Sequence, residues 1–318
     1  MTRIDWLPLE RLPELQAFVD EHWRRGHVLA RDAELLRWQH RRLRDADSLA
    51  VLVAEEDGRL VAMLGWIEFD ACVGEERVAG GWMTNWLVVP EARGRRLGLA
   101  LVERALEAEY ELVGALAANA ATRHVLGGYG FAEVGMYRWV RVFDPDGLRD
   151  LLAGRVVSAG EAVPGVEGGG PFVGACRDAD FVRRRYHEHP RFRYEVLEDG
   201  RAVYRIETIQ GSAARVMRIV DFRGAAGLAE ALAQAGRRAG ALFADFSCTS
   251  AQSGAPLETA GFEREDRLPA PLPGRFQPLD FSDRPIVSCF WAAPRLGVDF
   301  AAGDLYVTRA DSDLDRPN

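Results

Sequence analysis

Lysine is absent from this chain, and all forty of its basic residues are arginine. Schiff-base chemistry and acylation of the protein's own lysines are therefore excluded; the base composition of the coding sequence is sufficient to account for the bias. Cysteine is scarce. Cys72, Cys176, Cys248 and Cys289 stand singly, with no CxxC pair and no histidine at metal-ligand spacing. They read as buried apolar residues, and no structural zinc site is expected. No apolar run approaches the ~20 residues that a membrane helix needs, and MTRIDWLPLE lacks the basic-then-apolar order of a secretory signal. The expected location is the cytoplasm, with no membrane partner. Positive charge is in deficit too. The net charge of -8 argues against nucleic acid as a partner, because phosphate binding draws on clustered cations. The local clusters at Arg41 to Arg44 and Arg183 to Arg185 read as solvated helix faces.

What is present suits a full globular core, with 48% hydrophobic and 28% charged residues. A length of 318 residues suggests about two domains. The clearest break in composition is Gly154 to Pro171, ending in GVEGGGP. Ordering so much glycine costs backbone entropy, so such a stretch connects rather than packs. The expected division is 1–150, a linker at 151–171, and 172–318.

Before the break, helical periodicity covers Leu12 to Arg24 and Asp32 to Arg42, with Pro13 in a first turn and Asp32 as an N-cap. Strand-like runs follow at Ser48 to Glu55, Leu60 to Phe69 and Trp82 to Val89, the first two joined by an Asp57-Gly58 turn. A helix at Leu97 to Glu109, a strand at Leu112 to Ala118, a helix near Ala120 to Leu126 and strands from Phe131 to Phe143 complete an α/β order with mixed pairing. After the break a looser version recurs: a hairpin around Asp199-Gly200, a strand at Val216 to Phe222, a helix at Gly227 to Arg238 and a strand at Ala241 to Ser247. Gly261-Phe262 then falls where Gly130-Phe131 fell before, which reads as a degenerate internal duplication.

Leu87-Val-Val-Pro-Glu-Ala-Arg-Gly-Arg-Arg-Leu-Gly-Leu-Ala-Leu101 is the most informative stretch. A strand ends at Pro90, a basic Gly-containing loop follows, and an amphipathic helix begins. Such a loop leaves backbone N–H groups unpaired at the positive end of a helix dipole, where a phosphate or pyrophosphate is favoured. An exposed helix start in an arginine-rich protein is the plainer reading of the same residues.

The segment resembles motif A of the GNAT superfamily, (Q/R)xxGx(G/A) after a strand ending in V-x-P. Arg93 stands at its first position, Gly98 at its last, and Val88-Val89-Pro90 at the strand end. Asn119 closing the next strand and Gly130-Phe131 ending the following helix resemble motif B. The resemblance covers roughly residues 1 to 145. It implies a mixed sheet flanked by helices, repeated in tandem with a degenerate second copy. It also implies an N-acyltransferase that uses acyl-CoA, with acetyl-CoA as the expected donor. The amides of Arg95, Arg96, Leu97, Gly98 and Leu99 would bind the coenzyme pyrophosphate, with Arg93, Gly94, Ala100 and Asn119 beside them. The edge of strand Leu87, Val88 and Val89 would pair with the pantetheine arm. Two positions depart from the pattern. The central glycine of motif A is Arg96, and the tyrosine that protonates the leaving thiolate in many members is Leu126. Tyr129 lies nearby, but three residues of shift turn a helical side chain by about 300°.

An acyltransferase also needs a base, since only the neutral amine attacks the thioester. Trp82 to Val89 contains no acid, which leaves Glu68, Asp70, His22 and His27 as candidates. Asn85 and Asn119 are candidates for orienting the reacting groups, and Trp66, Trp82 and Trp86 for lining an acceptor cleft, although core packing is the commoner role of such aromatics. The second half has Asp221-Phe-Arg-Gly224 where the coenzyme loop would fall, and so reads as a copy that closes one side of the acceptor site. The DxDxD run of the tail lacks the glycine and bidentate glutamate of a calcium loop. By composition the tail is solvated and unstructured. The tail and HWRRGHVLARDAELLRWQH also resemble a group of GNAT-like proteins associated with bacterial polysaccharide biosynthesis. That resemblance implies an amino-sugar acceptor and a tail folded back onto the site through Asp313 and Arg316. A protein that holds acyl-CoA without turning it over is the rival reading, which Leu126 and the missing strand acid favour.

Overall fold

The computed structural model describes residues 2–108, 110–153, 163–268, 271–277, 279–280 and 286–315. Arg316 and the first part of the Gly-rich break, 154–162, lie outside them. The first half runs β1 (Arg3–Pro8), α1 (Leu12–His22), α2 (Val28–Arg31), α3 (Ala33–Gln39), β2 (Ser48–Glu56), β3 (Arg59–Val73), β4 (Glu76–Val88), α4 (Leu97–Ala108), β5 (Leu112–Ala115), α5 (Ala120–Gly127), β6 (Ala132–Gly135), β7 (Tyr137–Val142) and α6 (Pro145–Leu152). The second continues with β8 (Phe172–Ala175), α7 (Ala179–Val182), β9 (Glu195–Leu197), β10 (Ala202–Thr208), β11 (Arg215–Phe222), α8 (Ala226–Arg238), β12 (Ala241–Cys248) and α9 (Ala251–Gly254). Short strands β13 (Glu263–Arg264), β14 (Arg275–Phe276) and β15 (Leu279–Asp280) precede β16 (Val287–Ala292) and β17 (Asp304–Tyr306). The architecture is the expected mixed α/β one. No helix among the described residues is long and apolar enough to cross a membrane.

Local signals explain the elements. Pro13 sits in the first turn of α1, and the Leu35 amide donates to Asp32 at 3.0 Å to start α3. Asp57 and Gly58 both take positive φ, 49° and 76°, as a tight hairpin turn between right-twisted strands requires. Helix α4 buries Leu97, Leu101, Val102 and Ala105 against the sheet core, the i, i+4, i+8 stripe of an amphipathic helix. Full burial of Leu101 alone contributes about 2 kcal/mol.

The two sheets share one plan. The first has the order β1-β2-β3-β4-β5-β16-β6, with β8 and β17 attached at the far end of β3. The second runs β13-β7-β12-β11-β10-β9. In each, an antiparallel hairpin leads to a parallel pair, β4 with β5 and β11 with β12. A third strand then inserts antiparallel before the last. The helix before that last strand ends alike in both. Gly130 and Gly261 take φ of 81° and 74°, and the amides of Phe131 and Phe262 reach back to Leu126 and Leu257 at 3.2 Å.

The inserted strands are exchanged, β7 from the first half completing the second sheet and β16 from the second half completing the first. The two sheets therefore interleave across the Gly-rich break. A run of apolar residues at Phe131 to Phe143 says only that strands occur; which sheet receives each one depends on contacts far along the chain.

Three expectations need correction. Cys72 and Cys176 are not separate buried thiols but form a disulfide with a Cα–Cα distance of 5.2 Å, a crosslink that ordinarily belongs to oxidising environments. The arginine clusters are not wholly solvated. Arg42 is buried with its guanidinium 4.1 Å from the Trp6 ring, and Arg185 is buried against Trp38 at 5.0 Å. Nor is the tail unstructured through 315. Asp311, Ser312 and Asp315 are all buried, because each meets a partner supplied by a distant element.

Candidate active site

Strands β4 and β5 pair in parallel from Gly80↔Leu112 to Met83↔Ala115 and no further. The register of β4 on β3 shifts between Gly65↔Thr84 and Met63↔Leu87, which sets Asn85 and Trp86 opposite Leu64 alone. Asn85 carries the strain of this bulge, with φ of 35°. Beyond it the two strands diverge, and a cleft of about 420 Å³ opens between Thr84 to Trp86 on one side and Leu116 to Asn119 on the other.

The loop at 89–96 leads from the outer end of β4 into α4. Gly94 and Arg96 both take left-handed φ, 78° and 60°, and Ala100 is the first amide to bond back, to the Arg96 carbonyl at 3.0 Å. The amides from Gly94 to Leu99 donate to no group among the described residues. They form a positive helix start able to hold a diphosphate. A Cβ on Gly98 would come within 2.9 Å of the Trp86 indole nitrogen, so this glycine lets α4 approach the bulged strand. The loop's arginine side chains are tethered. Arg93 donates to the Val88 carbonyl at 3.3 Å, Arg95 pairs with Glu56 at 2.9 Å, and Arg96 lies 3.7 Å from Glu103.

Of the candidate catalytic residues, Asn85 and Asn119 line the cleft. Asn119 also caps α5, accepting from the Thr122 amide at 2.9 Å. Asn85 is 8% exposed and its Oδ1 has no hydrogen-bond partner. The others stand elsewhere. Glu68 lines a separate 70 Å³ cavity, where it accepts from the Leu43 amide at 2.6 Å and the Tyr110 hydroxyl at 2.8 Å. His27 is buried at the start of α2, accepting from the Leu29 amide at 3.3 Å. His22 packs on Phe18 at 4.9 Å, and Asp70 lies among Arg44, Arg77 and Arg184. Tyr129 donates to Glu103 at 2.6 Å; that bond, with burial, raises its pKa. The aromatic expectation divides likewise. Trp86 lines the cleft, whereas Trp66 stacks on Tyr110 at 4.7 Å and Trp82 on Phe69 at 4.3 Å in the core.

The far wall comes from the second half, and its residues, apart from the tail's Asp313, were not predicted. Phe192, Arg205, Glu207, Arg218 and Arg309 line it, with Asp313, Leu314 and Asp315. One signal was present in the sequence. Along β10, Arg205 and Glu207 occupy the buried phase while Ile206 between them is 37% exposed, the reverse of an ordinary half-buried strand. Glu207 lies 2.6 Å from Arg205 and 3.0 Å from Arg218. Asp315 lies 2.7 Å from Arg205 and accepts from the Tyr194 hydroxyl at 2.7 Å. Burial opposes charge on Asp315, but Arg205 and Tyr194 prevail and hold its carboxyl well below the usual range. Within the described residues no cluster of His, Cys, Asp and Glu is arranged to hold a metal ion.

Comparison with known proteins agrees with this fold. The acetyltransferase (GNAT) domain family matches residues 16–134. Among solved structures, a conserved protein of unknown function from Enterococcus faecalis V583 superposes with a TM-score of 0.52 at 10% identity, covering 92% of this chain and 73% of its own. A GCN5-related N-acetyltransferase from Anabaena variabilis ATCC 29413 gives 0.50 at 10% identity, with coverage of 91% and 72%. No curated protein matches the sequence. At such identities the structures speak for the fold alone. The chain therefore has a GNAT-like fold, and its residues 16–134 are similar to the acetyltransferase (GNAT) domain family.

Proposed function

We propose that this protein is an N-acyltransferase that transfers an acetyl group from acetyl-CoA to a primary amine, with amino sugars among the acceptors to test. The observation that carries the reading is the fork between β4 and β5, opened by the Asn85 bulge beside a helix start whose amides from Gly94 to Leu99 lack partners. Acetyl-CoA, when bound, supplies the activated acyl group. The Gly94 to Leu99 amides hold its pyrophosphate, and the edge of Leu87 to Val89 lies along its pantetheine arm. Asn85, through its unpartnered Oδ1, accepts a hydrogen bond from the amine and orients it. Glu207, Asp313 and Asp315 are the carboxylates lining the acceptor side of the cleft and so are placed to take the ammonium proton. Asp315 is a weaker base than an ordinary aspartate, because Arg205 and Tyr194 stabilise its charge. Trp23, Trp86 and Phe192 supply aromatic faces suited to a sugar ring.

Calorimetric titration with acetyl-CoA, followed by CoA release with a panel of amines, tests the proposal. The parent protein is expected to bind and a Gly98→Glu variant to lose binding, since the new side chain enters the space held by Trp86. Asn85→Ala is expected to lower kcat/KM for the amine about tenfold, the worth of one hydrogen bond of ~1.4 kcal/mol, while acetyl-CoA affinity is retained. Binding without CoA release for any amine would leave a protein that holds the coenzyme. No binding by the parent, once copurified coenzyme is excluded, would overturn the proposal.

A further inference from the structure

Five arginines line the cleft; Arg24 and Arg275 are exposed, whereas Arg205, Arg218 and Arg309 are at least partly buried, and these three are not equivalent. Arg205 is committed to Asp315 at 2.7 Å and Glu207 at 2.6 Å. Arg218 is committed to Glu207 at 3.0 Å and lies 3.6 Å from Asp245. Arg309 makes no hydrogen bond and no ion pair among the described residues, and its Nε is sealed from solvent without a partner. Its surroundings disfavour its charge. Burial and then the neighbouring Arg218 guanidinium push Arg309 down to about 9. The carboxylates of Asp245 and Asp315 offset only part of this push, and neither bonds to Arg309. A partly buried cation without a bonded counter-charge is costly to keep, and such a group in a cleft wall fits a ligand that supplies a bonded anion.

The opposite wall holds the complementary vacancy in hydrogen bonding. Asn85 Oδ1 is buried and unpartnered, and Asn85 holds a backbone φ of 35°. The cleft thus offers an unused acceptor at the fork and an unused cationic donor on the far side. A simple amine satisfies the first and leaves the second bare. We propose that the acceptor is a primary amine that also bears a carboxylate, and that Arg309 receives this carboxylate. This rests on the acyltransferase reading and narrows its substrate class. The planar guanidinium fork matches a carboxylate in bidentate fashion. A single negative charge suits the one partly buried guanidinium that lacks a bonded partner, since Arg205 and Arg218 are already paired with Glu207 and Asp315.

The test compares matched acceptors on the full-length protein: γ-aminobutyrate against γ-aminobutyramide, and 2-amino-2-deoxyglucuronate against glucosamine, with phosphoethanolamine as the dianion. Initial rates of CoA release at saturating acetyl-CoA should give each carboxylated amine a kcat/KM at least about tenfold above its neutral twin, since tenfold corresponds to about 1.4 kcal/mol. In Arg309→Gln that preference should fall below about threefold, through KM rather than kcat, as expected for lost uniform binding. Arg309→Lys, which keeps the charge without the fork, should retain part of it. Because Arg309 bonds to no side chain that its loss would strand, neither variant should melt below the parent, and acetyl-CoA titrations should match it. Equal rates for the twins in the parent, an equal loss for both in Arg309→Gln, or a preference for phosphoethanolamine would overturn the proposal. Should no amine turn over, calorimetry with γ-aminobutyrate still decides. Binding by the parent that Arg309→Gln loses supports the Arg309 site, its absence overturns it, and the acetyl-CoA titration reports separately on the acyltransferase reading.

Discussion

The two halves of this molecule build the same fork, and only one of them leaves it open. In the first sheet, β4 and β5 part after Met83 and Ala115, and nothing from the described chain enters between them at the Asn85 bulge. In the second, the corresponding ends of β11 and β12 are stoppered by the chain itself. The Tyr306 hydroxyl bonds with both the amide and the carbonyl of Phe222 at 3.0 and 2.9 Å. Thr249 donates to Val307 at 3.0 Å, and Cys248 bridges Thr308. Beneath this plug, Arg177 lies between Asp221 and Asp311 at 2.8 and 2.6 Å, its side chain 1% exposed.

The loops differ to match. Residues 89–96 separate β4 from α4, whereas only 223–225 separate β11 from α8, and the Arg223 amide is already spent on the Arg201 carbonyl at 2.7 Å. A shared topology therefore does not imply a shared site. What separates the halves is whether polar groups at the fork are satisfied from within.

The largest effect expected from breaking this contrast is at the plug. Arg177→Met should strand two buried carboxylates and cost about 3–5 kcal/mol, measurable as a lower urea midpoint. A loss below about 1 kcal/mol would mean the second fork is not held by this charge cluster.

A smaller effect concerns how the second half holds the cleft wall. His189 Nδ1 accepts from the amides of Arg191 and Phe192 at 3.1 and 2.9 Å, which positions Phe192 in the cleft. Burial, then Arg185, pushes His189 down to about 3, against ~6.5 unfolded. Because the folded value is the lower one, this contribution is complete above pH ~6.5 and is lost as pH falls toward 3. Stability should drop by about 1.4 kcal/mol per pH unit over that window. Urea titrations at pH 7 and 5 should differ by about 2 kcal/mol in the parent and by clearly less in His189→Gln; equal differences would refute the assignment.

The smallest effects sharpen the comparison at matched positions, since Gly98 and Gly227 are each the second residue of their helix. A Cβ on Gly227 meets nothing within 4 Å, so Gly227→Ala should stabilise by about 0.5 kcal/mol by restricting the unfolded chain. Gly98→Ala crowds the Trp86 indole and should bring no such gain while weakening acetyl-CoA binding. Thermal melts and the titration already described distinguish the two. Equal behaviour would mean that the close approach of α4 to β4 has no role at the proposed coenzyme site.

The elements themselves were largely legible in the sequence. Strands β2 to β4, helices α4 and α8, the Asp57-Gly58 turn and the paired Gly-Phe caps all follow from periodicity and turn chemistry, which act over a few residues. The loop proposed to hold the coenzyme was legible for the same reason, because its parts are backbone amides in one contiguous stretch. The opposite wall of the cleft was not. Glu68 and His27 carry suitable chemistry but are consumed by nearby amides and hydroxyls. Arg205, Arg218 and Arg309 are indistinguishable in sequence from the other arginines of an arginine-rich chain.

By itself, the sequence determined the α/β order, the duplicated plan and the polar loop at the start of α4, since each depends on local backbone preference and apolar spacing. Only the tertiary structure decided the exchange of β7 and β16, the Cys72–Cys176 crosslink, the return of Asp315 to Arg205 and the unbonded guanidinium of Arg309. Those depend on which side chains far apart in the chain arrive at one place, and on whether a charge that has left water there finds a partner.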